Sequence, residues 1–344
     1  MVMNYRTLGP SGLRVSDLFL GTMTFGESAG WGAPIDECRK IFNAYAEAGG
    51  NVIDTANRYA EGASEEIVGE LLGSERDRFV LATKYTVSTR PDDPNAAGSH
   101  RKSLHRSLEQ SLTRLRTDYI DLLWVHIWDS LTPAEEMMRA LDDAVRSGKV
   151  LYVGISDTPA WAISRAQMLA ELRGWSPFIG LQMPYSLLQR DIERELLPMA
   201  DELGLSVTAW SPLAGGRLTG KYTRGGQGGP TRVNLDEITD RELAIAREVD
   251  AVADELGVTS SQVALAWTTT RPTPVPIHPI IGARRLEQFT DNLAAAEVRL
   301  PDEAVGRLDK ASAIELGFPH DFIDAIQDFV FGEVGERVTR GVRG

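Results

Sequence analysis

A closed barrel of eight parallel strands, each followed by a helix, is the fold this sequence predicts. Three observations point to it. Short apolar runs alternate with amphipathic stretches along most of the chain. Eight such runs can be placed. No Gly-x-Gly-x-x-Gly fingerprint follows an early run, and the competing doubly wound open sheet usually carries one.

The candidate strands lie near 17–21, 51–54, 78–84, 119–125, 150–155, 178–182, 205–210 and 278–281. Helix candidates fall between them, near 36–48, 64–73, 99–115, 133–146, 159–172, 190–202 and 240–256. Two more, near 259–270 and 285–296, flank the last strand. Three helix-to-strand joints look alike: Ala48-Gly49-Gly50-Asn51, Ser147-Gly148-Lys149-Val150 and Leu203-Gly204-Leu205-Ser206. Each puts glycine at a helix C-terminus, where the left-handed conformation is cheapest. Thr132-Pro133 and Asp157-Thr158-Pro159 read as helix starts, a cap residue ahead of a first-turn proline. Residues 4–16 read as a small hairpin ahead of the first strand, placed to close the barrel bottom. The loop from Ser211 to Asp240, after the seventh strand, is long and rich in Gly, Arg and Lys, so a functional role is expected. A tail follows Leu300. The whole chain, 1–344, reads as one barrel domain.

Composition narrows the function. The 344 residues are 42% hydrophobic and 25% charged, which is globular composition. The net charge of −13 disfavours nucleic acid and anionic membranes as partners. Cys38 is the only cysteine, which fits a reducing compartment. The N-terminus lacks the apolar core of a secretory signal, and no apolar stretch approaches membrane-spanning length. A cytoplasmic protein acting on a small molecule is expected, and a homo-oligomer is compatible with the chain. The five histidines show no zinc-ligand spacing, so no metal is expected. Gly215-Gly216-Arg217-Leu218-Thr219-Gly220-Lys221-Tyr222 nearly matches a phosphate-binding P-loop but ends in Tyr222 instead of Ser or Thr.

Four residues carry the chemistry: Asp54, Tyr59, Lys84 and His126. Three of them end apolar runs, and Tyr59 follows the first of those runs by five residues. In a parallel barrel the C-terminal strand ends converge on the face where active sites are built. Singly, each residue has an ordinary structural reading; together, on successive strand ends, they describe a proton-handling site. Carbonyl reduction needs a proton at oxygen and a hydride at carbon. A phenol is a weak acid, with an ordinary pKa of about 10. A nearby ammonium favours the phenolate and lowers that value. The roles that follow are Tyr59 as general acid, Lys84 as its tuner, Asp54 as the anchor of Lys84, and His126 as the group orienting the carbonyl. The hydride must come from a cofactor.

The chain resembles the aldo-keto reductases. Thr7-Leu8-Gly9-Pro10-Ser11-Gly12-Leu13-Arg14-Val15-Ser16, Leu20-Gly21-Thr22-Met23-Thr24-Phe25-Gly26 and Ile53-Asp54-Thr55-Ala56 with Tyr59 are similar to that family's opening motifs. Lys84, His126, Gly154-Ile155-Ser156, Gln182 and Ala209-Trp210-Ser211-Pro212-Leu213 follow in family order. Ile281-Gly282-Ala283-Arg284-Arg285-Leu286-Glu287-Gln288 and Asp291-Asn292 close the match, which covers roughly residues 4–300. The resemblance implies a TIM barrel binding a nicotinamide dinucleotide, usually NADPH. It implies the catalytic roles above for Asp54, Tyr59, Lys84 and His126, with Gly21, Thr22, Met23 and Asp54 beside the cofactor. It implies Ser156 and Gln182 at the carboxamide and Trp210 on the nicotinamide ring. Ser211, Leu213, Gly215, Arg217 and Lys221 would line the pyrophosphate, and Gly282, Arg284, Gln288 and Asn292 the adenosine end. Arg284 sits just past the last strand at a helix start, suited to a phosphate. With Arg285 it favours NADPH over NADH.

The family commonly has Asn after Ser156, where this chain has Asp157. An ionised Asp only accepts hydrogen bonds, so Asp157 is expected to cap the helix starting at Pro159 instead. The substrate pocket is expected to draw on Phe25, Trp31, Tyr59, Tyr85, His126, Ile127 and Trp128, which suggests an apolar or ring-bearing carbonyl compound. Two other readings compete with the reductase. One is a cofactor-binding regulatory subunit resembling potassium-channel β subunits. The other is a non-redox barrel enzyme using the same residues as acid and base.

Overall fold

The computed structural model describes residues 3–27, 32–225 and 238–338. The chain divides into two compact units, Met1–Ser312 and Ala313–Gly344.

The first unit holds the barrel. Two short strands, β1 (Tyr5–Thr7) and β2 (Arg14–Ser16), pair antiparallel as a hairpin. Eight parallel strands follow: β3 (Phe19–Gly21), β4 (Val52–Asp54), β5 (Val80–Tyr85), β6 (Ile120–Val125), β7 (Val150–Ser156), β8 (Phe178–Pro184), β9 (Ser206–Trp210) and β10 (Ile277–Ile281). They pair in chain order, and β10 closes the ring on β3, with Ile280 beside Phe19 and Ile281 beside Leu20. Each candidate strand of the sequence is therefore present. Around the ring lie α1 (Ile35–Glu47), α2 (Ala63–Leu72), α3 (Arg101–Leu115), α4 (Ala134–Arg146), α5 (Ala160–Arg173) and α6 (Leu196–Leu203). They are followed by α7 (Asp240–Leu256), α8 (Ser260–Thr270), α9 (Leu286–Leu293) and α10 (Asp302–Ser312). Among the described residues of the second unit, α11 (His320–Ala325) and α12 (Gln327–Phe331) are short and lead into a 3-10 turn, Gly332–Arg337.

Local chemistry sets these boundaries. The three glycine joints take positive φ, at Gly49, Gly148 and Gly204. Helices α7 and α8 start on full capping boxes, Thr239 with Glu242 and Thr259 with Gln262. Helix α6 starts six residues later than the sequence pattern suggests, because Pro198 would clash with the carbonyl of Arg194 in a longer helix. Arg190 is instead held by Glu193, Asp309 and Ser312, which fixes residues 191–193 as a 3-10 turn. The two expected side-chain caps do not form. The N-cap positions of α4 and α5 are Pro133 and Pro159, without side-chain cap bonds. Thr132 bonds Asp129 instead, and Thr158 bonds the Ser156 carbonyl.

The barrel interior is filled from below. Leu8 and Val15 of the hairpin join Phe19, Val52, Val80, Leu122, Trp124 and Ile179 in one buried cluster. The Gly9 amide donates to Ser206 Oγ at 2.8 Å, tying the hairpin to the start of β9. Trp124 fits because its neighbours are small: a Cβ on Gly154 would lie 2.3 Å from its ring. With the bottom plugged, the C-terminal strand ends are where the barrel interior can build a site.

That upper face is also where the backbone is strained. Among the described residues seven non-glycines have positive φ, and six of them follow a barrel strand: Ala60, Glu61, Thr86, Asp157, Ser211 and Ala214. Such conformations persist where surrounding structure over-determines them, and they cluster at functional sites.

Candidate active site

Lys84 is the centre of the arrangement. It ends the barrel-facing part of β5 and has no exposed surface. Its Nζ bonds Asp54 Oδ2 on the neighbouring strand β4, the Thr55 carbonyl at 2.7 Å, and Tyr59 Oη at 3.2 Å. All three ammonium protons are therefore directed. Gln182 Nε2 reaches Asp54 Oδ1 at 3.0 Å, so both carboxylate oxygens are held. Tyr59 and His126 meet edge to face, with ring centroids 6.0 Å apart and planes at 81°.

A second set of bonds supports the loop carrying Tyr59. Ser64 Oγ donates to the Thr22 carbonyl at 2.8 Å and lies 3.0 Å from Thr55 Oγ1. Buried Glu65 accepts from Thr83 Oγ1 at 2.6 Å and from Arg114 Nε at 2.7 Å. These contacts join β3, β4, β5, α2 and α3 around Asp54, Tyr59 and Lys84.

Burial sets the protonation states. It pushes the Tyr59 phenol above its ordinary value; Lys84 pulls the other way, and Asp54 adds to the rise. The ammonium thus acts on the phenol in the expected sense, but dehydration outweighs it and the net shift is upward. Burial also works against the Lys84 charge, yet Asp54 and Tyr59 more than offset this, leaving the ammonium above its usual range. His126 drops to about 3, through burial and then through Lys84, so its imidazole is neutral near pH 7. Its Nδ1 is buried without a partner among the described residues.

Asp54, Tyr59 and His126 open onto a cavity of about 530 Å3, within the range of about 300–1,000 Å3 usual for small-molecule sites. Gly21, Met23, Ser156, Gln182 and Trp210 line it on the barrel side. Ser211, Leu213, Gly215 and Lys221 line it from the loop after β9. Gly282, Arg284, Gln288 and Asn292 line it from the turn after β10 and from α9. Two residues expected at the cofactor are absent from this lining. Thr22 is fully buried and bonds the Asp54 carbonyl, and Arg217 pairs with Glu242 of α7 at 3.6 Å.

The expected substrate pocket is brought together only in part. Tyr59 and His126 line the cavity. Phe25 lies in the core, where its backbone bridges to Ala33. Tyr85 points into the helix layer, with its hydroxyl 3.4 Å from the Ser99 carbonyl. Ile127 is exposed, and Trp128 stacks edge-on against Trp161 beside a different cavity. Trp31 lies outside the described residues.

Asp157 does not cap α5. Its Oδ1 accepts from Trp210 Nε1 at 3.1 Å, its φ is 40°, and the residue lines the cavity. Burial raises its pKa against the pull of Trp210 and Lys84. The sequence reading missed Thr24, Tyr222, Ser261 and Asp291, all in the lining. Ser261 had a usable signal, since it lies inside the capping box of α8. Asp291 accepts from Gln262 Nε2 at 2.9 Å, a contact between helices that no local pattern announces.

A nicotinamide dinucleotide fits what the cavity offers. Ser156 Oγ is buried there without a partner, so it has a hydrogen bond to give. Trp210 presents a ring, and the far end gathers Lys221 and Arg284. Among the described residues no group of His, Cys, Asp and Glu could hold a metal ion, and no helix is long and apolar enough to cross a membrane.

Comparison with known proteins agrees with this geometry. The profile of the Aldo/keto reductase family matches residues 17–313. The chain is 37% identical over 331 residues to an aryl-alcohol dehydrogenase of Pestalotiopsis microspora, covering 93% of this chain and 85% of that protein. It is 37% identical over 334 residues to norsolorinic acid reductase A of Aspergillus parasiticus, covering 93% and 84%. A norsolorinic acid reductase of Emericella nidulans is 39% identical over 332 residues, with the same coverage of 93% and 84%.

Proposed function

The chain belongs to the aldo/keto reductase family of oxidoreductases, and on that footing we propose that it is an NADPH-dependent reductase of aromatic aldehydes and ketones. The observation that carries the reading is the reach of Lys84 Nζ to both Asp54 and Tyr59 at the floor of one cavity.

Bound NADPH would supply the hydride, held by Ser156, Trp210, Arg284 and Gln288. The chain's own residues would handle the proton. The Tyr59 hydroxyl donates to the carbonyl oxygen and is left as phenolate. Lys84 stabilises that phenolate by charge and hydrogen bond, while Asp54 keeps the ammonium charged and fixed. Neutral His126 offers a hydrogen bond to the same oxygen and orients it. A placed general acid contributes about 10²–10⁴-fold. Trp210 and Tyr222 in the lining, together with the names of the aryl-alcohol relatives, support a ring-bearing substrate. Arg284 supports NADPH over NADH, and the lone buried Cys38 supports a cytoplasmic setting.

The test is consumption of NADPH by the purified protein against aromatic and aliphatic aldehydes and ketones. Turnover should be highest with aromatic carbonyls and slower with NADH. Tyr59→Phe should bind NADPH as tightly as the parent and lose most turnover. Unchanged turnover in that variant removes the mechanism, and equal affinity for NADH removes the cofactor preference.

A further inference from the structure

Behind the active face lies a second cavity, of about 230 Å3. Its inner wall is Val125 of β6, Ile155 of β7 and Met137 of α4, all buried. Its mouth is framed by Trp128, Trp161 and Arg165. The indoles are exposed and meet edge to face, with centroids 5.6 Å apart and planes at 88°. Exposed aromatic pairs over an apolar hollow are unusual unless something shares the surface.

Arg165 stands out from its neighbours. On α3, α4 and α5 the other arginines, Arg101, Arg106, Arg114, Arg139, Arg146 and Arg173, each face a carboxylate. Arg165 has no hydrogen-bond or ion-pair partner among the described residues. Helices α4 and α5, of 13 and 14 residues, both begin beside this cavity on prolines without side-chain caps. Their positive ends therefore add to the guanidinium. The carboxylates at and near the cavity are already engaged. Asp129, itself in the lining, accepts from the amides of Ser99 and Leu131 and from Thr132. Glu135 pairs with Arg173, and Glu136 accepts from the Arg101 amide.

We propose that this cavity binds a single-ring aromatic carboxylate, with the ring between Trp128, Trp161 and Met137 and the carboxylate on Arg165. The volume lies below the usual range of about 300–1,000 Å3 for larger ligands, which selects one ring. The apolar floor excludes a bare inorganic anion as the best occupant, and the unpaired guanidinium selects the carboxylate over a neutral ring.

The site is also wired to the active face. Val125 and Ile155 immediately precede His126 and Ser156, and the Trp128 amide donates to the Asp157 carbonyl at 3.3 Å. An occupant presses on the outer side of the strand ends that carry His126 and Ser156. Its effect on turnover is therefore a lowered kcat without competition for the carbonyl site.

Benzoate is the probe, titrated by calorimetry into the full chain saturated with NADPH, with benzyl alcohol as the neutral control. Benzoate should bind at one site, and benzyl alcohol should not displace it. Arg165→Gln, a surface substitution, should weaken benzoate roughly tenfold, the order expected for one charge-assisted hydrogen bond, and leave NADPH affinity unchanged. Trp161→Leu should weaken it as well. Benzoate affinity unchanged in both variants overturns the proposal, as does displacement of benzoate by benzyl alcohol. Where turnover is measurable, inhibition competitive with the carbonyl compound also overturns it. The calorimetric readout does not depend on catalysis, and repeating the titration without NADPH keeps it apart from the reductase assignment.

Discussion

Gln182 and Asp54 meet across the mouth of the barrel. Gln182 Nε2 donates to Asp54 Oδ1 at 3.0 Å, although β8 and β4 stand on opposite sides of the ring. The glutamine expected at a cofactor carboxamide thus has its amide protons turned toward the Asp54 carboxylate. Hydrogen bonds to charged groups contribute about 1.5–3 kcal/mol. Gln182→Leu should lower unfolding stability by roughly that amount and reduce kcat, because Asp54 is then held from one side only. Urea denaturation and steady-state kinetics check this; a variant equal to the parent in both would deny the glutamine its positioning role.

The Asp54–Lys84 pair should show strong coupling. Removing one member of a buried ion pair strands the other charge and costs about 3–5 kcal/mol. Lys84→Met alone should therefore be severely destabilised. Combining it with Asp54→Asn should recover part of the loss, since no charge remains buried. A double-mutant cycle on unfolding free energies measures the coupling, and additive effects would contradict it.

The pH profile of reduction should be flat through neutrality. In the proposed mechanism Tyr59 must be protonated, and burial holds its phenol above the ordinary value, so activity is lost only above the ordinary phenol range. His126 must be neutral, and with a pKa of about 3 it charges only in strong acid. An inflection in kcat/KM near pH 6.5, the ordinary histidine value, would show that the His126 imidazole is solvated instead of buried.

His278 makes folding sensitive to acid. It stacks on Phe19 at 5.2 Å inside the barrel, and its Nε2 has no partner among the described residues. Burial lowers its pKa to about 4. The unfolded chain takes up this proton below about pH 6.5 and the folded chain does not. Stability from this residue is therefore complete above that value and falls as pH drops toward 4. At pH 5 the loss is roughly 2 kcal/mol. His278→Gln should unfold with a smaller change in urea midpoint between pH 7 and pH 5 than the parent does.

The barrel was legible because its strands are near-continuous apolar runs, and their ends carry Asp54, Lys84 and His126 whatever the loops do. What local pattern could not show was the direction of side chains in the loops. Trp128 follows His126 by two residues, yet it leans over the helix layer because its amide is held by Asp157. Phe25 follows β3 closely and turns into the core. Asp157 carried a sound local argument for capping α5, but Pro159 took the cap position and Trp210, 53 residues away, claimed the carboxylate. Arg217 went to Glu242 across the long loop in the same way. Each of these outcomes is set by a partner distant in sequence, which periodicity and propensity do not encode.

Closure of the ring by β10 on β3 would make capture of the proposed cofactor a consequence of finishing the fold. Phe19 and Leu20 must wait about 260 residues for Ile280 and Ile281, a loop closure that favours slow, late completion. Gly21 and Gly282 flank that seam, and Arg284 lies just beyond it. On the proposed function, a chain still in synthesis would have no dinucleotide site, however many strands have already paired. A ligand that binds only the closed ring stabilises it by mass action. Occupancy of the seam would then slow ring opening, making cofactor supply a determinant of how long each molecule survives.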